Sequence, residues 1–189
     1  MTREGRSDTL GLGPHLSARE FERFEESVLP HLDAAYNLAR YLLRDPHEAD
    51  DAVQEACLRA VRHFRGFRGT DGRPWLLSIV RNACLTQLRR RRSGAEVVPF
   101  EDEAHSVENE AAGPEADLAR SIAAETVREE LARLPVEFRE VLVLRELEGH
   151  SYKEIAQIIG APIGTVMSRL ARGRRQLSAA LRVAPEGAA

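Results

Sequence analysis

The chain has 189 residues, 43% of them hydrophobic and 5% aromatic, and its 27 basic and 30 acidic side chains leave a net charge of −3. This length suits one large domain or two small ones, and the near absence of strand patterns predicts an all-α fold. Two cysteines, Cys57 and Cys84, are too few for a disulfide framework or a zinc site, and no apolar run suits a signal peptide or a membrane span. We therefore expect a cytoplasmic protein with reduced thiols, no cofactor and no membrane insertion.

The first predicted elements are two helices that meet at a proline. Residues 1–16 are glycine-rich and polar, which predicts disorder, and helical periodicity begins at Ser17 with a bend at Pro30. Arg44-Asp45-Pro46 ends this helix and starts the next, because Asp45 suits an N-cap and Pro46 the first helical position. The second helix is predicted to run from Pro46 to about Phe64.

One face of this second helix combines acids with a leucine. The pattern favours a protein-docking face, with Leu58 as an apolar anchor and the acids selecting a basic partner. A charged solvent face with one stray leucine is the alternative. A metal site on His47, Asp50, Asp51 and Glu55 is disfavoured, because no second cluster with matching spacing completes a ligand shell.

A basic loop and helix follow, and the charge here is concentrated. From Ala56 to Arg92 the chain holds ten arginines and a single acid, Asp71. The loop Arg65–Arg73 leads into the predicted helix PWLLSIVRNACLTQLRRRR. Glycines, an aromatic ring and arginines beside a basic helix suit single-stranded or melted nucleic acid. Core packing is the other interpretation of the aromatic rings, and we favour it for the tryptophan in this helix.

An acidic stretch then separates two helical domains. Ser93–Asp117 contains eight acids, no lysine or arginine and no helical stripe, which predicts a flexible linker. Fully extended it would span up to ~85 Å, more than one DNA turn of about 34 Å. Two nucleic-acid-binding domains could therefore sit on separate elements. Helices are predicted again at Leu118–Leu134 and Val136–Glu148, separated by Pro135.

The stretch Ser151–Arg175 has the pattern of a helix-turn-helix. Ser151 and Glu154 have the spacing of a capping box, Gly160 suits a helix C-terminus, and Pro162 suits the start of a second helix. Five arginines and no acid lie between residues 163 and 182, which favours a helix that enters a DNA groove over a solvated αα-hairpin. Residues 183–189 are predicted to form a loose tail.

Two blocks of this sequence resemble bacterial extracytoplasmic-function (ECF) sigma factors. The segments DPHEADDAVQEACLRAVRHF and RPWLLSIVRNACLTQLRRRR are similar to the second conserved region of that family. The segment LPVEFREVLVLRELEGHSYKEIAQIIGAPIGTVMSRLARGRRQL is similar to its fourth region. The resemblance covers about Leu29–Arg92 and Leu134–Leu177, and it implies a region 2-like domain at 17–92 and a region 4-like domain at 118–182.

The resemblance also implies partners and roles. The partners would be core RNA polymerase, contacted at the β′ clamp and the β flap, promoter DNA and a separate anti-sigma factor. The implied polymerase-docking residues are Asp50, Asp51, Gln54, Glu55 and Leu58. The implied residues for recognition and melting of the −10 element are Arg65, Phe67, Arg68, Arg73, Arg81, Asn82, Arg89 and Arg90. The implied residues for the −35 element are Thr165, Ser168, Arg169, Arg172 and Arg175.

Three positions depart from the pattern of the family. Thr86 stands where many members carry aspartate, and Met167 where lysine is frequent. Gly173 replaces a common alanine, at a cost of up to ~1 kcal/mol in helix propensity.

The expected function is promoter-directed transcription initiation without catalytic activity. The alternatives are a stand-alone helix-turn-helix regulator, which would dimerise and bind DNA without polymerase, and a metal-dependent nucleic-acid enzyme.

Overall fold

Every regular element in the described part of the chain is helical. The computed structural model describes residues 16–69, 71–94 and 114–183, with only the helical backbone for 114–123 and for 183. The α-helices are α1 Ala18–Val28, α2 Leu32–Leu43, α3 Pro46–His63, α4 Arg73–Arg92, α5 Pro114–Arg133, α6 Val136–Leu142, α7 Tyr152–Ile159 and α8 Ile163–Val183. Short 3₁₀ turns occupy Leu29–His31 and Phe64–Gly66, and a π-helical turn occupies Val143–Leu147. The prediction of an all-α fold is confirmed.

The predicted helix starts and stops are confirmed where they depend on local chemistry. Asp45 accepts a hydrogen bond from the backbone N–H of Glu48 at 2.9 Å, as an N-cap should. The capping box at the start of α7 is present in both directions between Ser151 and Glu154. Gly160 ends α7 in the left-handed region with φ 65°, where only glycine is free of steric cost.

Several predicted boundaries differ from the structure. The bend at Pro30 is a complete 3₁₀ turn that separates α1 from α2. The helix predicted from Leu118 begins at Pro114, so the last four residues of the predicted linker are helical. The helix predicted over Val136–Glu148 ends at Leu142 and continues as the π-helical turn. Predicted disorder at the N-terminus, the loose tail and most of the predicted linker lie outside the described residues.

The N-terminal domain is built around α2, α3 and α4. Alanines on the inner face of α3, such as Ala49 and Ala56, are fully buried and let the neighbouring helices approach closely. Leucines including Leu38 and Leu76 fill the space between the three helices. The helix α1 covers one end of this bundle, where the Phe24 ring meets the Phe64 ring edge-on at 5.3 Å. Burial of these apolar side chains is the main stabilising term of the domain.

The C-terminal domain packs α6 and α7 against α8. Val141, Ile155 and Leu170 are at its centre and are almost completely buried. A Cβ atom on Gly173 would lie 3.0 Å from Leu142 Cδ1, so the glycine permits a close approach of α8 to α6. The helix-propensity cost predicted at this position is therefore offset by packing.

The two domains pack against each other directly. Helix α4 of the N-terminal domain lies along α7 of the C-terminal domain, and α2 lies against α6. Arg139 of α6 reaches across this junction and donates to the Leu42 carbonyl oxygen at the end of α2, at 3.2 Å. The helix C-terminus attracts a cation because its last carbonyl groups have no intrahelical partner. The domain interface is therefore formed by α2 and α4 on one side and by α6 and α7 on the other.

Candidate nucleic-acid interface

The outer face of α3 carries the predicted protein-docking residues. Asp50, Asp51, Gln54 and Glu55 are exposed, and Leu58 keeps 45% of its surface accessible. Val61 is also exposed, at 36%, and follows Leu58 by three residues on the same face. Val61 is not among the docking residues predicted from the sequence, although its spacing from Leu58 was the available signal. This face is an acidic surface with two apolar anchors.

The loop after α3 is held by an aromatic cluster. The Phe67 ring stacks on Phe64 at 5.7 Å and lies 4.8 Å from Trp75, and only 9% of Phe67 is exposed. The Phe67 ring therefore belongs to the core, which favours core packing over a platform for stacked bases, and its role at the −10 element stays a prediction. Trp75 is half-buried and packs against the core in the same cluster.

The arginines of this loop have different environments. Arg65 is half exposed and pairs with Glu20 of α1 at 3.3 Å. Arg68 is exposed to solvent. Arg73, the first residue of α4, extends to the C-terminal domain, where its guanidinium lies 2.7 Å from the Glu148 carboxylate. Arg65 and Arg68 are therefore on the surface of the loop, whereas Arg73 lies at the domain interface.

Helix α4 divides its polar residues between solvent and the domain interface. Asn82 and Arg89 are seven residues apart, lie on one face and are exposed. Arg90 is exposed on an adjacent face. Arg81 is only 14% exposed and donates two hydrogen bonds to Glu140 of α6, at 2.7 and 3.2 Å. Asn82, Arg89 and Arg90 therefore form an open polar surface, while Arg81 faces the C-terminal domain.

Helix α8 presents part of its predicted reading surface to solvent. Ser168, Arg172 and Arg175 are exposed on the side opposite the buried Val166 and Leu170. Seven residues separate Ser168 from Arg175, so these side chains can line one groove.

Two further members of the predicted −35 set are less exposed. Thr165 is partly buried, and its carbonyl oxygen accepts the Ser168 hydroxyl at 3.0 Å. Arg169 is 29% exposed and donates to Glu140 at 3.0 Å. In this conformation Arg169 faces the domain interface rather than the open side of α8.

Glu140 joins residues of both domains. Its carboxylate is 2% exposed and accepts from Arg81 of α4 and from Arg169 of α8. A buried carboxylate requires such partners, because an isolated charge in the interior is strongly unfavourable. Glu140 and Glu148 are not among the residues predicted from the sequence, and the only signal for Glu140 was its position among the apolar residues of α6.

His150 occupies the start of the helix-turn-helix as a buried imidazole. Only 3% of the residue is exposed, and its Nε2 atom has no hydrogen-bond partner. Burial is the main cause that lowers the pKa of His150, and the nearby positive charge of Arg73 lowers it further. The carboxylates of Glu154, Glu148 and Asp71 oppose this shift. The His150 imidazole is therefore held in its neutral form, close to Arg73 of the N-terminal domain.

The described residues also bear on the metal-site alternative and on a membrane span. Within residues 16–69, 71–94 and 124–182, no three histidine, cysteine or carboxylate side chains are grouped so that they could hold a metal ion. The cluster of Asp50, Asp51 and Glu55 is thus not completed by a further ligand in these ranges. None of the described helices is long and apolar enough to cross a bilayer.

Comparison with known families assigns both domains. The model for Sigma-70 region 2 matches residues 28–94, and the model for Sigma-70 region 4 matches residues 124–177. The ECF RNA polymerase sigma factor SigM of Mycobacterium tuberculosis is 36% identical over 177 residues, which cover 93% of this chain and 85% of SigM. The chain belongs to the ECF RNA polymerase sigma factors.

Other RNA polymerase sigma factors also align over most of the chain. SigE of Mycolicibacterium smegmatis is 36% identical over 155 residues, and the match spans 82% of this chain and 60% of SigE. The sigma-H factor of Pseudomonas aeruginosa is 34% identical over 165 residues, which cover 84% of this chain and 86% of that protein. The family consists of transcription factors, which disfavours a metal-dependent enzyme. The match to region 2 in addition to region 4 disfavours a regulator that uses the helix-turn-helix alone.

Two solved structures share the fold. The sigma factor RpoE from Bartonella quintana, solved with the anti-sigma factor NepR, aligns with a TM-score of 0.70 and 26% identity, over 87% of this chain and 99% of RpoE. The protein CnrH, solved with the cytosolic domain of CnrY, aligns with a TM-score of 0.59 and 27% identity, over 86% of this chain and 89% of CnrH. The all-helical architecture of this ECF sigma factor is therefore that of known sigma factors.

Proposed function

We propose that this ECF sigma factor binds core RNA polymerase in the cytoplasm and directs it to promoters with −35 and −10 elements, without catalysing a reaction itself. The observation that carries the proposal is the presence, in one chain, of a separate polar and arginine-bearing surface on each matched sigma region. One such surface would read a single element. Two surfaces joined by the segment 95–113 would read two elements at a distance.

The outer face of α3 is the proposed contact with the polymerase clamp. Exposed carboxylates there would select a basic partner and raise the association rate, while Leu58 and Val61 supply apolar area that becomes buried on docking. Region 4 is proposed to contact the β flap.

The loop after α3 and the outer face of α4 are proposed to engage the −10 element. Arg65 and Arg68 would contact phosphates, and Asn82 offers a donor and an acceptor to the edge of an extruded base. Arg89 and Arg90 extend this surface along the strand. Arg73 and Arg81 join it only when they leave their carboxylate partners in the C-terminal domain.

The open side of α8 is proposed to read the −35 element. Arg172 and Arg175 can make bidentate contacts with guanine or phosphate, and Ser168 can contact a neighbouring base. Arg169 is oriented by Glu140, so its proposed role is at the edge of this surface. Thr165 lies at the same edge.

An anti-sigma factor is the proposed regulatory partner. RpoE of Bartonella quintana was solved with such a protein, and its fold aligns over 87% of this chain. The exposed apolar side chains Ile163 and Met167, on a flank of α8 at i and i+4, and Phe21 on α1 offer contact area for a protein partner.

In vitro transcription is the test of the proposed function. The protein is added to core polymerase on a genomic fragment library, and promoter-specific transcripts are expected. The variant Arg172→Ala should weaken initiation that depends on the −35 element by ~1–3 kcal/mol. The matched control Arg182→Ala removes another exposed arginine near the far end of α8 and should have little effect. Absence of specific transcripts from every fragment would refute the proposal.

A second measurement isolates polymerase docking. The double variant Asp51→Arg with Glu55→Arg reverses two charges at i, i+4 on α3 and should lower the affinity for core polymerase. The control, Glu22→Arg with Glu26→Arg, makes the same change on exposed positions of α1. Equal affinity of both double variants would remove α3 from the docking surface.

A further inference from the structure

Three arginines predicted to contact DNA are neutralised within the closed protein. Arg73 and Arg81 belong to the proposed −10 surface and Arg169 to the proposed −35 surface. All three pair with carboxylates of the C-terminal domain, Arg73 with Glu148 and the other two with Glu140. Apart from the partly buried Thr165, the remaining proposed DNA contacts on α4 and α8 are exposed, so this pairing affects only the residues at the domain interface.

The geometry of these pairs resembles the binding of a phosphate group by arginine. Arg81 presents Nε and Nη2 to the two oxygens of Glu140, at 2.7 and 3.2 Å, in the two-point arrangement with which a guanidinium binds an oxyanion. Arg73 approaches Glu148 at 2.7 Å, and Asn37 of α2 donates to the other oxygen of Glu148 at 3.4 Å. Both carboxylates therefore receive donors from the N-terminal domain.

The closed arrangement cannot read a complete promoter. Elements named −35 and −10 lie roughly 25 base pairs apart, which is roughly 85 Å along B-DNA. Helices α4 and α7 are in contact in the closed protein, so its two reading surfaces are much closer together than that. Separation of the domains must therefore precede or accompany recognition of both elements.

We propose that Glu140 and Glu148 act as internal substitutes for DNA phosphates and hold the free protein in a closed, autoinhibited state. Opening releases Arg73 and Arg81 for the DNA backbone. It leaves Arg169 paired with Glu140 inside the C-terminal domain, where Glu140 then acts as a positioning residue. This inference rests on the proposed function for its meaning, but the closed state itself is measurable without polymerase.

The matched variants are Glu148→Gln and Glu146→Gln. The first keeps the shape of the side chain and removes the charge that holds Arg73 across the interface. The second lies two positions earlier and pairs with Arg174 of its own domain, so it removes an equal charge without touching the interface. Glu140→Gln is a weaker test, because it also disturbs Arg169 and the core of the C-terminal domain.

The experiment uses the full chain without polymerase. Small-angle X-ray scattering measures its dimensions, and fluorescence anisotropy with a short mixed-sequence duplex measures its DNA affinity over a series of salt concentrations. For Glu148→Gln we expect a larger radius of gyration and an affinity about threefold to tenfold higher. The slope of log affinity against log salt should steepen by about 0.9 for each arginine released to a phosphate. Glu146→Gln should leave the dimensions unchanged.

Several outcomes overturn the inference. Unchanged dimensions and affinity of Glu148→Gln would show that its carboxylate does not hold the domains together. Tighter DNA binding with unchanged dimensions, or an equal gain for Glu146→Gln, would assign the effect to loss of negative charge alone. A charge exchange, Arg73→Glu with Glu148→Arg, should restore the compact dimensions if the pair is the latch. Failure of promoter-directed transcription would refute the proposed function and leave the scattering result intact.

Discussion

Replacement of Gly72 by alanine should destabilise the N-terminal domain through one backbone clash. A Cβ atom at this position would lie 2.0 Å from the carbonyl oxygen of Ser27 in the last turn of α1. The backbone of Gly72 is right-handed, at φ −78° and ψ −16°, so alanine causes no conformational strain and the cost is steric. Because the obstacle is backbone, α1 must move relative to the start of α4.

The magnitude follows from what this movement uncovers. Phe24 and Val28 of α1 are 3% and 0% exposed, and fully exposing one such side chain costs about 1.5–3 kcal/mol. Partial exposure together with overpacking predicts a loss of about 2–3 kcal/mol in the free energy of unfolding. The loop that carries Arg65 and Arg68 leads into α4, so DNA affinity of the −10 surface should fall as well.

Urea unfolding followed by the fluorescence of Trp75, the single tryptophan, measures this effect. The matched control is Gly66→Ala in the same loop, where nothing lies within 4 Å of the added Cβ. The control should change the free energy of unfolding by about 0.5 kcal/mol or less. An equally small change for Gly72→Ala would refute the close approach of α1 to α4 and the reasoning built on it.

Three further predictions concern exposed, titratable and nucleophilic side chains. Leu58→Ala with Val61→Ala should weaken binding to core polymerase by about 2–4 kcal/mol without changing the urea midpoint, and unchanged affinity in a pull-down titration would contradict the docking role. The pKa of His150 is lowered in the folded protein, so the unfolded chain binds the proton first when the pH drops below the unfolded value of about 6.5. The free energy of unfolding therefore decreases as the pH is lowered, by up to ~1.4 kcal/mol per pH unit. His150→Leu should flatten that slope in urea unfolding between about pH 7.5 and 5.5; an unchanged slope would exclude His150 as its source. Burial raises the pKa of Cys84 to about 12, so a thiol reagent at neutral pH should label the partly exposed Cys57 first. Mass spectrometry measures the two labelling rates, and equal rates would contradict the burial of Cys84.

Much of the local structure could be predicted because its causes lie within a few residues. Asp45 before Pro46 and Ser151 before Glu154 satisfy backbone groups of the helix that each precedes, so their effect is visible in the sequence. The start of α5 at Pro114 was missed because its first residues are acidic and resemble the linker before them. The π-helical turn at Val143–Leu147 was missed because its apolar pattern is compatible with an ordinary helix.

The partners of the arginines could not be predicted because they depend on residues distant in sequence. Arg81 and Glu140 are 59 positions apart, and Arg73 and Glu148 are 75 positions apart. Composition predicts that a basic stretch binds phosphate. It gives no local signal that a particular carboxylate, distant in sequence, forms an ion pair with one of these arginines. Phe67 is a similar case, because only the packed cluster decides between a ring that stacks on bases and a ring that stabilises the core.

By itself the sequence determined the helical class, the two domains, the basic and acidic segments and the family resemblance, since periodicity, capping and charge are properties of neighbouring residues. The tertiary structure alone decided which of the predicted DNA-contacting side chains face solvent and which are held at the domain interface. The physical reason is that burial of Glu140 requires compensation by Arg81 and Arg169, which come from different helices and meet only when the two domains pack together.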